Sequence, residues 1–167
     1  MLRVPERGDV EDLLELVGDE ELMQWIGGEA GGRAVAEESV ERWLRRWEAN
    51  GVGQFAVVLD GHVIGRVGLL VWDARSWETS TYERAGEHAV TELGWAISRG
   101  HWGRGYATEA ARAVREWAYD DHGIQRLISL IDPRNVRSIR VAVKLGAEPT
   151  ELVTTAHGPA LVWVHPR

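Results

Sequence analysis

Gly100-His101-Trp102-Gly103-Arg104-Gly105-Tyr106-Ala107-Thr108-Glu109 separates a stretch of strand character from a stretch of helix character, and its reading decides the fold. Its glycines let backbone N–H groups converge on one point, and a helix that follows presents its own unsatisfied N–H groups and positive dipole end there. That is the outline of a pyrophosphate cradle. A sharp strand-to-helix turn needing positive φ uses the same residues, so the loop alone leaves both readings open.

Upstream, His88 to Ser98 alternates, with Ala89, Thr91, Leu93, Trp95 and Ile97 on one face and Val90, Glu92, Gly94 and Ala96 on the other, which predicts a long strand. Downstream, Tyr106 to Tyr119 carries Ala107, Ala110, Ala111, Val114, Trp117 and Ala118 at helical spacing. Gln54 to Leu59, Asp60-Gly61 and His62 to Trp72 read as a hairpin, because Asp-Gly supplies the positive φ angles of a tight turn. Asp73 to Glu87 is polar and is expected to be a long connection.

Toward the N-terminus a short strand (Leu2 to Val4) precedes a helix capped by Asp9, with Val10, Leu13, Leu14 and Val17 as its stripe. Asp19 to Gly32 reads as a broken helix and a loop, and Val35 to Ala49 as a second helix with Val40, Trp43, Leu44 and Trp47 on one face. Toward the C-terminus come a strand (Arg126 to Ile131), a helix capped by Asn135 with Val136, Ile139, Ala142, Val143 and Leu145 inward, and strands at 147–154 and 159–164. The whole is expected to be a single domain over residues 1–167. Its class is α+β: a mixed, mostly antiparallel central sheet with helices on both faces, in the order β-αα-βββ-α-β-α-ββ.

Composition narrows the chemistry. The 167 residues are 44% apolar and 27% charged, with nine tryptophans and no cysteine, so a core is affordable and disulfides, thiolate metal sites and cysteine nucleophiles are excluded. The six histidines form no His-x-x-x-His pair, so no metal site is expected. A net charge of −7 argues against nucleic-acid binding. The longest apolar run, Val67 to Trp72, is far short of the roughly 20 residues that span a bilayer, and the start lacks a signal-peptide run, so no membrane partner and a cytoplasmic location are expected. Residues 1–87 carry 9 basic and 18 acidic side chains and residues 88–167 carry 10 and 8, which assigns an anionic ligand to the second half.

Among phosphate-binding classes, a P-loop needs a lysine after its glycines, and the only lysine is Lys144. A dinucleotide fold needs a third glycine where Thr108 stands. No Gly-x-Ser-x-Gly elbow points to a serine hydrolase. The chain does resemble the GNAT superfamily of N-acetyltransferases, in its RimJ/RimL-like branch, from about Leu2 to Val164. The resemblance rests on Glu92-Leu93-Gly94-Trp95-Ala96-Ile97, Trp102 to Ala110, Asn135-Val136-Arg137-Ser138 and Lys144-Leu145-Gly146-Ala147. Gly100 departs from the family's Gln or Arg, which leaves backbone amides to make that cofactor contact, and Ala147 stands where the branch commonly has an aromatic residue.

The resemblance implies acetyl-CoA in a V-shaped opening between the strand ending near Ile97 and the strand 126–131. Ala96, Ile97, Trp102, Gly103, Arg104, Gly105, Tyr106, Ala107, Asn135 and Arg140 are then the expected cofactor contacts, with Arg104 better placed than Arg140. Transfer of acetyl to a primary amine needs a base for the amine and a proton for the thiolate. Glu92 is the candidate base, although it reads equally as a solvated carboxylate, and Ser138 the candidate acid, with Tyr106 a weaker alternative. Trp25 and the neighbouring loop are a candidate amine-binding wall. The acidic N-terminal half suits a cationic acceptor, either a protein N-terminus or a small amine. A non-catalytic acyl-CoA-binding module is the rival reading, and a homodimer is in keeping with the family.

Overall fold

Asp60 and Gly61 both take positive φ (51° and 87°) and fold β2 (Gln54–Leu59) back onto β3 (His62–Asp73), as the Asp-Gly pair requires. The computed structural model describes residues 1–167. β1 (Leu2–Arg3) pairs antiparallel with β2, and β5 (Ala89–Ile97) pairs antiparallel with β3 over its whole length, from Gly65↔Ile97 to Asp73↔Ala89. β6 (Leu127–Ile131) lies parallel to β5, and the hairpin of β7 (Glu148–Thr155) and β8 (Gly158–Val164) completes the order β1-β2-β3-β5-β6-β8-β7. The result is the mixed, mostly antiparallel sheet expected from the sequence.

Helices cover both faces. α1 (Val10–Gly18), α2 (Glu20–Ile26) and α3 (Arg33–Asn50) pack on the face that carries Ala56, Val58 and Ala96. α5 (Tyr106–Asp120) buries Ala110, Ala111, Val114 and Ala118 against Val67, Leu69, Leu93 and Ile97 on the other, where α6 (Val136–Lys144) sets Ala142 against Ile131, Ala147 and Trp163. The small alanines let α5 lie close to the sheet. No helix is long and apolar enough to cross a membrane.

The parallel contact is short. Only Thr91↔Leu127 and Glu92↔Ile128 are paired, after which β5 runs on to Ile97 held by β3 alone and β6 to Ile131 held by β8 alone. At the point of separation the buried Ser129 hydroxyl donates to the Leu93 carbonyl (2.6 Å) and meets His165 Nε2 (2.8 Å). A serine hydroxyl has one hydrogen, so His165 must donate from Nε2. Burial and the nearby Arg115 push its imidazole down to about 4.

Three expectations need correction. Residues 73–87, expected simply as a long connection, carry elements of their own: β4 (Glu78–Thr79) pairs with β3, and α4 (Tyr82–Ala85) is capped by Thr81 and tied down by the Tyr82 hydroxyl, which bonds Thr91 Oγ1 at 2.9 Å. The 19–26 stretch is a separate helix, α2, with Asp19 as its cap and left-handed Gly27 as its stop. On α6, Val136 and Val143 are exposed rather than inward. Successive helical residues turn by about 100°, so a face centred on Ala142 takes in Ser138, Ile139 and Leu145 and leaves those valines to solvent.

The buried neutral His165 makes stability depend on pH. The unfolded chain binds a proton below about 6.5, the native imidazole only near 4, so stability is full above 6.5 and falls as pH drops toward 4. This group should remove about 2 kcal/mol of unfolding free energy between pH 7 and pH 5. His165→Gln should flatten that part of the profile in urea titrations, and an unchanged slope would contradict the assignment.

Candidate active site

The loop leaving β5 is anchored by Trp102, whose indole N–H donates to the Ile97 carbonyl (2.5 Å). Gly103 (φ 76°) and Gly105 (φ 89°) then take left-handed conformations that other residues adopt only with strain. Gly105 is the N-cap of α5 and gives it no side-chain cap, and the amides of Gly103, Arg104 and Gly105 donate no hydrogen bond to the protein. Together with the first-turn amides of α5 they form a set of unsatisfied donors at the positive end of a helix.

These donors edge a cleft of about 510 Å³ running from the loop to α6. Of the expected contacts, Ala96, Ile97, Trp102, Gly103, Gly105, Tyr106, Ala107, Asn135 and Arg140 line it, as does Ser138. Arg104 does not: it is exposed, between the left-handed Gly103 and Gly105. Arg140, Arg137 and Lys144 supply the positive charge instead. His101 Nδ1 is buried on this wall without a partner.

Ion pairs join the elements around the cleft. Arg99 reaches Asp19 (2.7 Å) and Glu21 (2.6 Å), Arg137 reaches Glu21 (2.6 Å), and the Arg137 guanidinium stacks 4.4 Å from the Trp102 ring centroid. Arg99 holds the Asp19 carboxyl at about 2. Being exposed, these pairs add little stability and chiefly fix the position of α2.

A second cleft, of about 760 Å³, opens on the opposite face of the sheet beneath α3. Trp25, Ile26, Trp95, Asn135 and Ser138 line both clefts, so the two meet in the gap where β5 and β6 part. Glu92 lies in the second cleft, which Ser138 also lines. The Asn135 carbonyl oxygen accepts from the Ser138 amide (3.1 Å), which caps α6 and leaves the Asn135 amide group free.

Glu92 accepts a hydrogen bond from the Trp72 indole (2.6 Å). Burial raises its carboxyl above the ordinary value, opposed by Trp72, Arg66, the Leu130 backbone and Arg46. Arg66, whose Nη1 donates to Gln54 Oε1 (2.8 Å), and Arg46 are both pushed down to about 10 by burial. Trp72, Arg46 and Arg66 escaped sequence reasoning. The signal was present in Arg66 itself, the only charged residue among the apolar residues of 63–72, and in Arg42 and Arg46 one turn apart on α3.

The profile of the acetyltransferase (GNAT) domain matches residues 1–148. The chain belongs to the GNAT acetyltransferase family. GNAT membership makes it an enzyme of the N-acetyltransferase class. The uncharacterised protein YkkB of Bacillus subtilis is 32% identical over 104 residues, a match covering 58% of this chain and 60% of that protein. An aminoglycoside N(6')-acetyltransferase type 1 of Klebsiella pneumoniae is 26% identical over 173 residues, covering 99% of this chain and 82% of that protein. The structure of AAC(6')-Ib in complex with ribostamycin and coenzyme A superposes with a TM-score of 0.78 at 25% identity, covering 100% of this chain and 93% of that one.

The Trp72 hydrogen bond favours the charged form of Glu92, so its loss should raise the carboxyl further. Trp72→Phe should move the carboxyl 13C NMR titration midpoint of Glu92 to higher pH. An unmoved midpoint would show that the indole does not tune this group.

Proposed function

We propose that this protein transfers acetyl from acetyl-CoA to a primary amine, with the donor entering the loop-side cleft and the amine entering the cleft beneath α3. The observation that carries this reading is the meeting of two clefts in one gap, one edged by unsatisfied amides and the other holding a carboxyl raised by burial. Bound acetyl-CoA supplies an activated acyl group as a thioester. Its pyrophosphate suits the amides of residues 103–107, with Arg140 adding charge, and the orphaned His101 nitrogen on the same wall suits a polar ligand. The edge of β5 from Ala96 to Ile97 lacks a strand partner on the gap side and offers backbone groups to an extended chain.

Attack needs the amine neutral. Glu92, raised in pKa and open to the cleft, takes the proton that the attacking nitrogen sheds. Ser138 lines both clefts at the gap, where its hydroxyl gives a proton or hydrogen bond to the departing sulfur, and the free Asn135 amide orients the arm beside it. Tyr106 lines the donor cleft only, which favours Ser138 over it as the acid. The Asn135 to Ser138 motif supports the RimJ/RimL-like branch. The aminoglycoside relatives that align over nearly the whole chain support a small-molecule amine, which is the acceptor we favour.

Glu92→Gln should lower kcat about 100-fold or more while calorimetry shows acetyl-CoA binding unchanged, and Ser138→Ala should lower kcat with the same retention. Gly105→Ala, strained at its φ of 89°, should instead weaken acetyl-CoA binding. Full turnover in Glu92→Gln would remove the carboxylate from the mechanism. Acetyl-CoA binding without acetylation of any amine would favour the non-catalytic module, and no binding would overturn the reading.

A further inference from the structure

The strong negative charge of the first 87 residues suggests a cationic acceptor, yet the cleft beneath α3 has the opposite character. α3 turns Ser39, Arg42, Trp43 and Arg46 toward it at positions i, i+3, i+4 and i+7, and Arg66 rises from β3 below them. Arg42 donates only to Ser39 Oγ (3.1 Å), Arg66 to Gln54, and Arg46 has no hydrogen-bond partner or ion pair. Of the carboxylates lining the same cleft only Glu92 acts on these arginines, so positive charge is in excess. Glu38 is paired with Arg45 (2.8 Å) and Asp132 with Arg134 (2.7 Å), Glu29 is exposed at the rim, and Glu92 takes its hydrogen bond from Trp72 without pairing to either arginine.

Partly buried guanidinium groups that outnumber their counter-charge are costly, and they repel one another. The cost is relieved when an anion enters. Gly94 keeps the floor open for it: where a Cβ would stand, Glu92 Oε1 is 3.8 Å away and Arg66 Nη1 is 3.9 Å away. A molecule resting on Gly94 therefore touches a carboxyl group and a guanidinium at once.

We infer that the acceptor carries a carboxylate or phosphate a few bonds from its reactive amine, and that Arg46 and Arg66 bind this anion while the amine faces Glu92. The inference rests on the acetyltransferase reading above and names its substrate class. The planar forks of arginine suit both oxyanions. A polycationic acceptor would meet three guanidinium groups in this cleft.

The test compares matched amines in a free-thiol release assay with acetyl-CoA: glycine and leucine against their amides, phosphoethanolamine against ethanolamine, and kanamycin as a polycation. The anionic member of at least one kind of pair should have a kcat/KM at least about tenfold higher, and the kind that discriminates tells carboxylate from phosphate. Arg46→Met and Arg66→Met should abolish the discrimination, chiefly through KM. Arg66→Lys, which keeps the charge and loses the fork, should retain part of it if the Met variant does not fold. Without acetyl-CoA, quenching of the cleft tryptophans by N-acetylleucine should give tighter binding than by N-acetylleucinamide, and Arg46→Met should erase the difference. Equal use of each pair, or preference for kanamycin, would overturn the inference while thiol release upholds the acetyltransferase. Failure to bind acetyl-CoA would overturn that reading, and the fluorescence titration would still decide whether the arginines hold an anion.

Discussion

The hydroxyl of Ser129 occupies the place where the backbone ladder between β5 and β6 would otherwise continue. It satisfies the Leu93 carbonyl from the side, and His165 supports it from behind. Beyond Glu92 and Ile128 this side-chain bond replaces backbone pairing between the two strands. The sheet therefore opens at its centre while each strand keeps its outer partner. Both clefts and their meeting point follow from this separation, and the buried neutral histidine is part of what maintains it.

On one face of the opening the protein leaves backbone donors unpaired at an uncapped helix start, and on the other it gathers guanidinium groups that no carboxylate salt-bridges and that outnumber the one carboxylate acting on them. Neither arrangement favours folding by itself. An apolar residue at 66 would continue the hydrophobic strand. Groups that weaken the free protein and gain partners from ligands are in keeping with a binding function. The compensating stability comes from regular parts of the fold, where alanines on α5 and alternating side chains on β3 and β5 pack without polar conflict.

Most of the architecture was legible because its signals are local. The Asp-Gly turn, the alternation of 88–98, the alanine stripe of α5 and the Asn135 cap each act within a few residues. The donor cleft was legible for the same reason, since the glycine loop and the helix after it are continuous in sequence. Arg104 misled because the direction of a side chain between two left-handed glycines is a matter of dihedral angles that residue identity does not reveal. The α3 arginines escaped notice because their meaning depends on Arg66 and Glu92, brought beside them only by the pairing of distant strands. Overall charge misled for a related reason: the acidic residues of the first half lie mainly on outer surfaces, and a sum over the chain does not report what a concave site contains.

The two clefts lie on opposite faces of one sheet and have only five lining residues in common. Substitutions on the inward face of α3 therefore touch none of the amides around Gly103 and Gly105, and changes at well-separated sites without common partners combine nearly additively. Selection can thus remodel what the protein accepts while its donor machinery stays intact. The division of labour across the sheet gives this architecture room to diversify its chemistry one face at a time.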